Sequence, residues 1–277
     1  MTSMLPNISE GFTAASFTGR YGAVRTCHGA HRQSASVGVL EFTGDGRWSG
    51  SVIANIPGGA FGERRQVEGS AEGTYSLEEN GSGFGSMRAV WTFAGEQTPE
   101  RAATFLVTRA TRTAEVPLIE EFWVMEDAVD PVSGGIHMVQ ACRHPDAGSF
   151  SLASMSGTYG GPGIGHGGLV PAAAVGLGAV RFDGNGGFVG VDLQNLGGPG
   201  GFATRQTMTF DTEAAQYVLN PDGTGMIIAP GGRANLIVMH AAVEGELRVV
   251  LDYVFVNTEL HPPTGNLVLT SVSKRLT

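Results

Sequence analysis

The stretch FTGDGRWSGSVIAN, beginning at Phe42, recurs as FDGNGGFVGVDLQN, beginning at Phe182. Phe42, Gly44, Gly46, Gly50 and Asn55 reappear as Phe182, Gly184, Gly186, Gly190 and Asn195. The similarity extends outwards from there. FTGRYG (17–22) matches MSGTYG (155–160), and YSLEENGSGF (75–84) matches YVLNPDGTGM (217–226). TFLVTR (104–109) lines up with NLIVMH (235–240), and EFWVM (121–125) with DYVFV (252–256). A repeat that runs through almost the whole chain means one module built twice. The sequence therefore divides into 1–148 and 149–277.

Each copy alternates strand with turn. TGDG, DGNG, ENGSG and PDGTG are hairpin turns, because their glycines reach the positive φ that tight loops demand. VGVLEF, GSVIANI, ATFLVTR and LRVVLDYVFV are β-branched and aromatic runs of strand length. No helical period is present. About eight sequential antiparallel strands per copy can remove their exposed edges by closing. The expected fold is all-β: two tandem antiparallel up-and-down β-barrels of about eight strands each.

The G-x-Y strand followed by F-D-G-x-G and D-G-x-G hairpins resembles the small barrels of the allene oxide cyclase-like and lipocalin-like group. The resemblance covers both copies and rests on strand rhythm and turn glycines. It implies a small apolar or aromatic molecule bound inside a barrel, and for several members cyclisation or isomerisation without a cofactor. It transfers no catalytic residue, because no motif of that group matches residue by residue.

Composition removes other classes. The net charge of -9 and the absence of any Lys/Arg run argue against nucleic acid. No apolar stretch has the length of a membrane helix, and MTSMLPNISEGF lacks the pattern of a signal peptide, so the expected location is cytoplasmic, away from membranes. Lys274 is the only lysine, which removes Schiff-base and P-loop chemistry. DGNGGF (183–188) lacks a closing glutamate for calcium, with Gln194 at that place, and GPGIGHGG (161–168) lacks the lysine and helix of a phosphate cradle. The first reads as a hairpin and the second as a flexible rim loop.

In an up-and-down barrel the first strand ends where the last begins. CHGAH (27–31) then brings Cys27, His28 and His31 to one rim beside His137, with Glu126 and Asp127. Such a group could bind zinc or relay protons, but H-x-x-H suits a helix better than a rim, so a polar, solvated mouth is preferred and no metal or other cofactor is expected. Cys142 falls on the opposite rim from Cys27, too far for a disulfide.

The repeat also pairs functional candidates. His28 corresponds to His166, and Glu121 to Asp252, each carboxylate lying in an apolar strand before an aromatic residue. Loss of hydration would raise such a carboxyl toward the range of acid–base catalysis; the alternative is a side chain pointing outward or paired with arginine. A regular hairpin turn at Glu244–Gly245 would set Ile237 opposite Asp252, placing His240 on the other face. Tyr21, Phe105, Trp123, Tyr159 and Tyr253 would line or plug the lumens, and VVLDYVFV suggests burial on both faces where the halves meet, or a homodimer surface.

The reading is a cofactor-independent isomerase, cyclase or lyase acting on a small apolar molecule. Glu121 or Asp252 would move the proton, with His28, His31, His137 or His166 at the mouth, and the first copy is favoured as the active one. The alternative is a non-catalytic carrier of a hydrophobic metabolite. A third possibility is two solidly packed barrels.

Overall fold

The structure, a computed structural model, describes residues 11–28, 34–57, 64–78, 82–111, 116–129, 135–166, 174–197, 203–211, 213–230, 232–258 and 268–276. The first half contributes β1 (Thr18–His28), β2 (Ala35–Thr43), β3 (Arg47–Pro57), β4 (Arg64–Leu77), β5 (Phe84–Phe93), β6 (Glu96–Gln97), β7 (Arg101–Thr111), β8 (Leu118–Glu126) and β9 (Ile136–Arg143). The second contributes β10 (Gly157–His166), β11 (Ala174–Phe182), β12 (Phe188–Gly197), β13 (Ala203–Phe210), β14 (Gln216–Leu219), β15 (Thr224–Ala229), β16 (Gly232–Glu244), β17 (Leu247–Asn257) and β18 (Val268–Leu276). The chain is all-β, and every strand ladder is antiparallel and lies within one half.

In the first sheet β1 pairs with β9, and β4 pairs with β5 from Gly69–Phe93 to Leu77–Gly85, so eight strands close into a barrel. The second sheet follows the same order but curls without closing. The counterpart of the long β4 is broken into β13 and β14 by a turn in which Asp211 accepts a bond from the Ala214 amide. β15 is shorter than β5, and no ladder joins β13 to β14 or β15 among the described residues. Gly161–His166, expected as a rim loop, is instead part of β10, paired with both β11 and β18.

Both copies are plugged at one end by the same device. A short 3-10 turn, Ala14–Ser16 in one copy and Leu152–Met155 in the other, folds across the barrel base. The Tyr75 hydroxyl donates to Ala14 O at 2.9 Å, and the Tyr217 hydroxyl to Leu152 O at 2.8 Å. Above the first turn Phe17 packs among Tyr21, Phe42, Tyr75, Phe105 and Phe122, with ring centroids 4.9–6.2 Å away. In the second, Phe182 packs against Tyr159, Phe188, Tyr217 and Tyr253. Offset and edge-to-face rings at these distances add to the burial energy of the apolar surface.

The halves meet outer face to outer face. Val24, Val37, Val39 and Cys142 of the first barrel bury against Ile237, Met239, Val254 and Val256 of the second. This accounts for the unbroken apolar run in β17: Tyr253 and Phe255 face the lumen, while Val254 and Val256 face the seam. Beyond β9, His144 crosses the seam and its Nε2–H donates to Val238 O at 2.8 Å.

Candidate functional site

Three places gather chemistry: the mouth of the first barrel, the lumen of the second half, and the seam. At the mouth, β1 and β9 set Cys27 opposite His137, as the strand order requires. His137 Nδ1 lies 2.9 Å from Glu126 Oε2, and Glu126 also meets Arg25 at 3.0 Å and Arg101 at 3.5 Å. Burial opposes protonation of His137, but its hydrogen bonds to Cys27 and Glu126 prevail and push its pKa above the ordinary imidazole value. Burial likewise works to raise the Glu126 carboxyl, and the hydrogen bond to His137 and the Arg25 charge hold it below its usual range.

The mouth is thus an ion-paired lattice with little free space. Arg25 sits over Trp91 at 5.2 Å, and with Trp48 and Leu40 these residues leave a cavity of only ≈ 50 Å³. The first copy, favoured from sequence as the active one, thus encloses the smaller lumen of the two. In the second half Gly163, Gly176 and Phe188 stand where the first has Arg25, Ser36 and Trp48, and β15 ends before any counterpart of Trp91. Smaller inner side chains and the unclosed wall leave a cavity of ≈ 140 Å³. Val180, Phe182, Phe188, Met208, Phe210 and Phe255 supply its apolar walls. Asp192, Gln194, Arg233, Asn257 and Tyr253 are its polar points, with Gln194 Nε2 donating to Asp192 Oδ2 at 2.6 Å.

The seam holds the carboxylates that the repeat paired. A regular hairpin would separate His240 from Asp252; the structure instead sets them directly opposite, between two register irregularities. The turn lies one residue further on, with Glu244 opposite Leu247, and Met239 and Leu251 are extra residues that carry His240 and Asp252 to one face. His240 Nδ1 lies 2.8 Å from both oxygens of Asp252. β7 and β8 repeat the irregularity around the Arg109–Glu121 pair, so both copies present a polar pair on the outer face. Glu121 therefore points into the seam, where its Oε2 lies 3.8 Å from His240 Nε2. Cys142 completes the group, with its Sγ within 4.8 Å of the Glu121 and His240 ligand atoms. Burial, with Glu121 and Asp252 adding to it, pushes the Cys142 thiol far above its ordinary pKa.

The sequence-derived residues thus separate. Glu121 and Asp252 come together, but in the seam rather than in a lumen. Tyr253 lines the second cavity. Tyr21 and Tyr159 are anchors in the plugs, donating to Ile119 O at 2.7 Å and Val250 O at 2.8 Å. Burial lifts both phenols, Tyr159 to about 12, so they remain neutral donors. Phe105 is core, and Trp123 faces outward, its Nε1–H donating to Glu121 Oε1 at 3.3 Å. His28 and His166 hold equivalent strand ends, opposite Ile136 and Val268, but their side chains, like His31 altogether, fall outside the described residues. Cys27 and Cys142 are both buried and outside any disulfide; Cys142 pairs with Gly22, five residues or roughly 17 Å along β1 from Cys27. Sequence reasoning placed His240 on the wrong face and gave no role to Cys142 or Asp192. The signal for the first was the pair of consecutive outward residues in VMHA and VLDY, echoing VTRA and IEEF.

No family model and no curated protein matches this chain. Among solved structures, a protein of unknown function from the DUF3598 family of Nostoc punctiforme is similar at 10% identity and a TM-score of 0.30, over 96% of this chain and 99% of that one. Among the described residues, no helix is long and apolar enough to cross a membrane.

Proposed function

We propose that the second half is a binding compartment for a small, largely apolar molecule. The observation that carries this reading is the ≈ 140 Å³ cavity, walled by aromatic and aliphatic side chains with a few polar points. That volume suits a ligand of about one aromatic ring or a short branched chain, with more room toward the gap beside β13. It agrees with what the resemblance to allene oxide cyclase-like and lipocalin-like barrels implies. Glu121 and Asp252 face away from this lumen, so ligand retention does not depend on them.

Gly178 gives the test. A Cβ there would meet Asp192 Oδ1 at 3.6 Å and Val191 O at 3.8 Å, ordinary contact distances, and a larger side chain would fill the cavity. Calorimetric titration of single-ring and branched aliphatic ligands should show saturable binding to the native chain and none to Gly178→Leu. Glu121→Gln and Asp252→Asn should keep the affinity within about twofold. Undiminished binding to a folded Gly178→Leu protein overturns the assignment.

A catalytic variant of this reading, an isomerase, cyclase or lyase, draws support from Asp192. It is the carboxylate in the cavity wall, and its Oδ1 lies beside Gly176 and Gly178 while Gln194 occupies Oδ2. There it could take a proton from a bound ligand. Asp192→Asn would then abolish turnover and leave binding intact; unchanged turnover would remove Asp192 from the chemistry, and a native chain that binds without turnover would restrict the compartment to carriage.

A further inference from the structure

We propose that Glu121, Cys142 and His240 form a divalent-metal site of the zinc class, with ligands drawn from both halves of the chain. His240 Nε2 is buried and makes no hydrogen bond. Because Nδ1 faces both oxygens of Asp252 at 2.8 Å, the neutral ring carries its proton on Nδ1, and in that tautomer Nε2 presents a lone pair. That lone pair looks at Glu121 Oε2 across 3.8 Å, a separation with an acceptor on each side and no donor between. A cation resolves the arrangement.

The orientation of Glu121 supports the same conclusion. Gln140 Nε2 donates to its Oε1 at 3.1 Å and Trp123 Nε1 to the same oxygen at 3.3 Å. Both donors hold one carboxylate oxygen, and the other is left facing His240. Metal sites are built in this way: a carboxylate behind the imidazole fixes its tautomer, and hydrogen bonds fix the carboxylate ligand. Here Asp252 serves the histidine while Gln140 and Trp123 serve Glu121. The third donor, Cys142 Sγ, lies with the other two inside a 4.8 Å circle. Arms of about 2.0–2.3 Å at tetrahedral angles need ligand atoms about 3.3–3.8 Å apart, so small side-chain rotations suffice.

The donor set selects the metal. One sulfur, one imidazole nitrogen and one carboxylate oxygen suit zinc and its analogue cobalt, and suit calcium or magnesium poorly. On binding, the Cys142 S–H bond breaks, sulfur donates its pair to the metal, and the proton leaves to solvent. Three protein ligands leave a fourth position for a water or a further donor. The ion would tie β8 and β9 to β16 and β17.

The test uses the full chain, stripped with a chelator and titrated with cobalt(II), then zinc(II). The expected result is one equivalent of cobalt per chain with a thiolate-to-metal charge-transfer band in the near ultraviolet, displaced by zinc. The band should survive Cys27→Ser and vanish in Cys142→Ser. His240→Gln and Glu121→Gln change half-buried residues, so they carry the test if Cys142→Ser fails to fold; each should weaken binding by at least about tenfold. Asp252→Asn should weaken it by about 10–100-fold and leave the band in place. A folded native chain without the band, or a band that His240→Gln leaves unchanged, overturns the site.

Discussion

His144 sits where the two halves lock, and its chemistry makes that lock sensitive to acid. Its Nε2–H donates to Val238 O at 2.8 Å, its ring packs edge-on to Phe150 at 5.2 Å, and its Nδ1 is buried without a partner. A second proton would therefore sit on an atom with nothing to receive it. Burial is the main reason that the folded pKa falls from 6.5 to about 4; the Val238 carbonyl opposes the shift, while the nearby Arg248 and Arg20 charges reinforce it. The unfolded chain takes up the proton first, so this residue's contribution is complete above about pH 7 and declines as pH falls toward 4. A shift of this size is worth about 3 kcal/mol at its limit, of which about 2 kcal/mol is lost between pH 7.5 and pH 5.

His144→Gln keeps a donor for Val238 and removes the titration. Urea unfolding of both proteins at pH 7.5 and pH 5, followed by far-ultraviolet circular dichroism, gives four free energies. The native chain should lose about 2 kcal/mol more than the variant over that interval. The double difference cancels the titration of every other group, including His137, whose raised pKa acts in the opposite direction. Parallel losses in the two proteins would show that His144 is not the source of the acid sensitivity.

Phe17→Ala, which empties the centre of the first plug, should cost about 3–5 kcal/mol in chemical denaturation, because its fully buried ring touches aromatic side chains from several strands. Gly22→Ala should lower the melting temperature, since a Cβ there would lie 1.9 Å from Val238 O and 2.7 Å from His144 Nε2 and force the halves apart; overpacking of this kind costs about 1–3 kcal/mol. Glu126→Gln should destabilise by about 2–4 kcal/mol in urea, because it leaves Arg25 and Arg101 without their shared carboxylate.

Much of the architecture was legible because it depends on backbone geometry. Gly44, Gly46, Gly184 and Gly186 hold φ values of 80°, 90°, 79° and 105°, conformations that disfavour other residues, so the paired turns announced themselves. Strand order followed from the turns, and with it the meeting of Cys27, His137 and Glu126 at one rim. Closure was read correctly for the first copy and not for the second. How far the ladder between β4, or its counterpart, and the next strand extends depends on the length of β15 and on the break at Asp211, and neither changes the local strand pattern. The larger of the two lumens consequently lies in the half that sequence reasoning ranked second.

The seam failed to show for a different physical reason. Period-2 alternation assigns every residue a face only while the ladder is regular, and one irregularity inverts the assignment beyond it. VMHA against VLDY reads in-out-out-in: Val238 and Val250 face the core, and His240 and Asp252 face the other half. The same irregularity around Arg109 and Glu121 shows that duplication copied it. Duplication also explains why the cluster needs both halves. Each copy carries one polar pair on its outer face, and packing those faces together brings Glu121 of one pair to His240 of the other. Cys142 then supplies sulfur from β9, where the second copy has the exposed Lys274 opposite Asp252. A donor set of this kind therefore arises from a repeat whose two copies have diverged at the bulge and on the strand beside it.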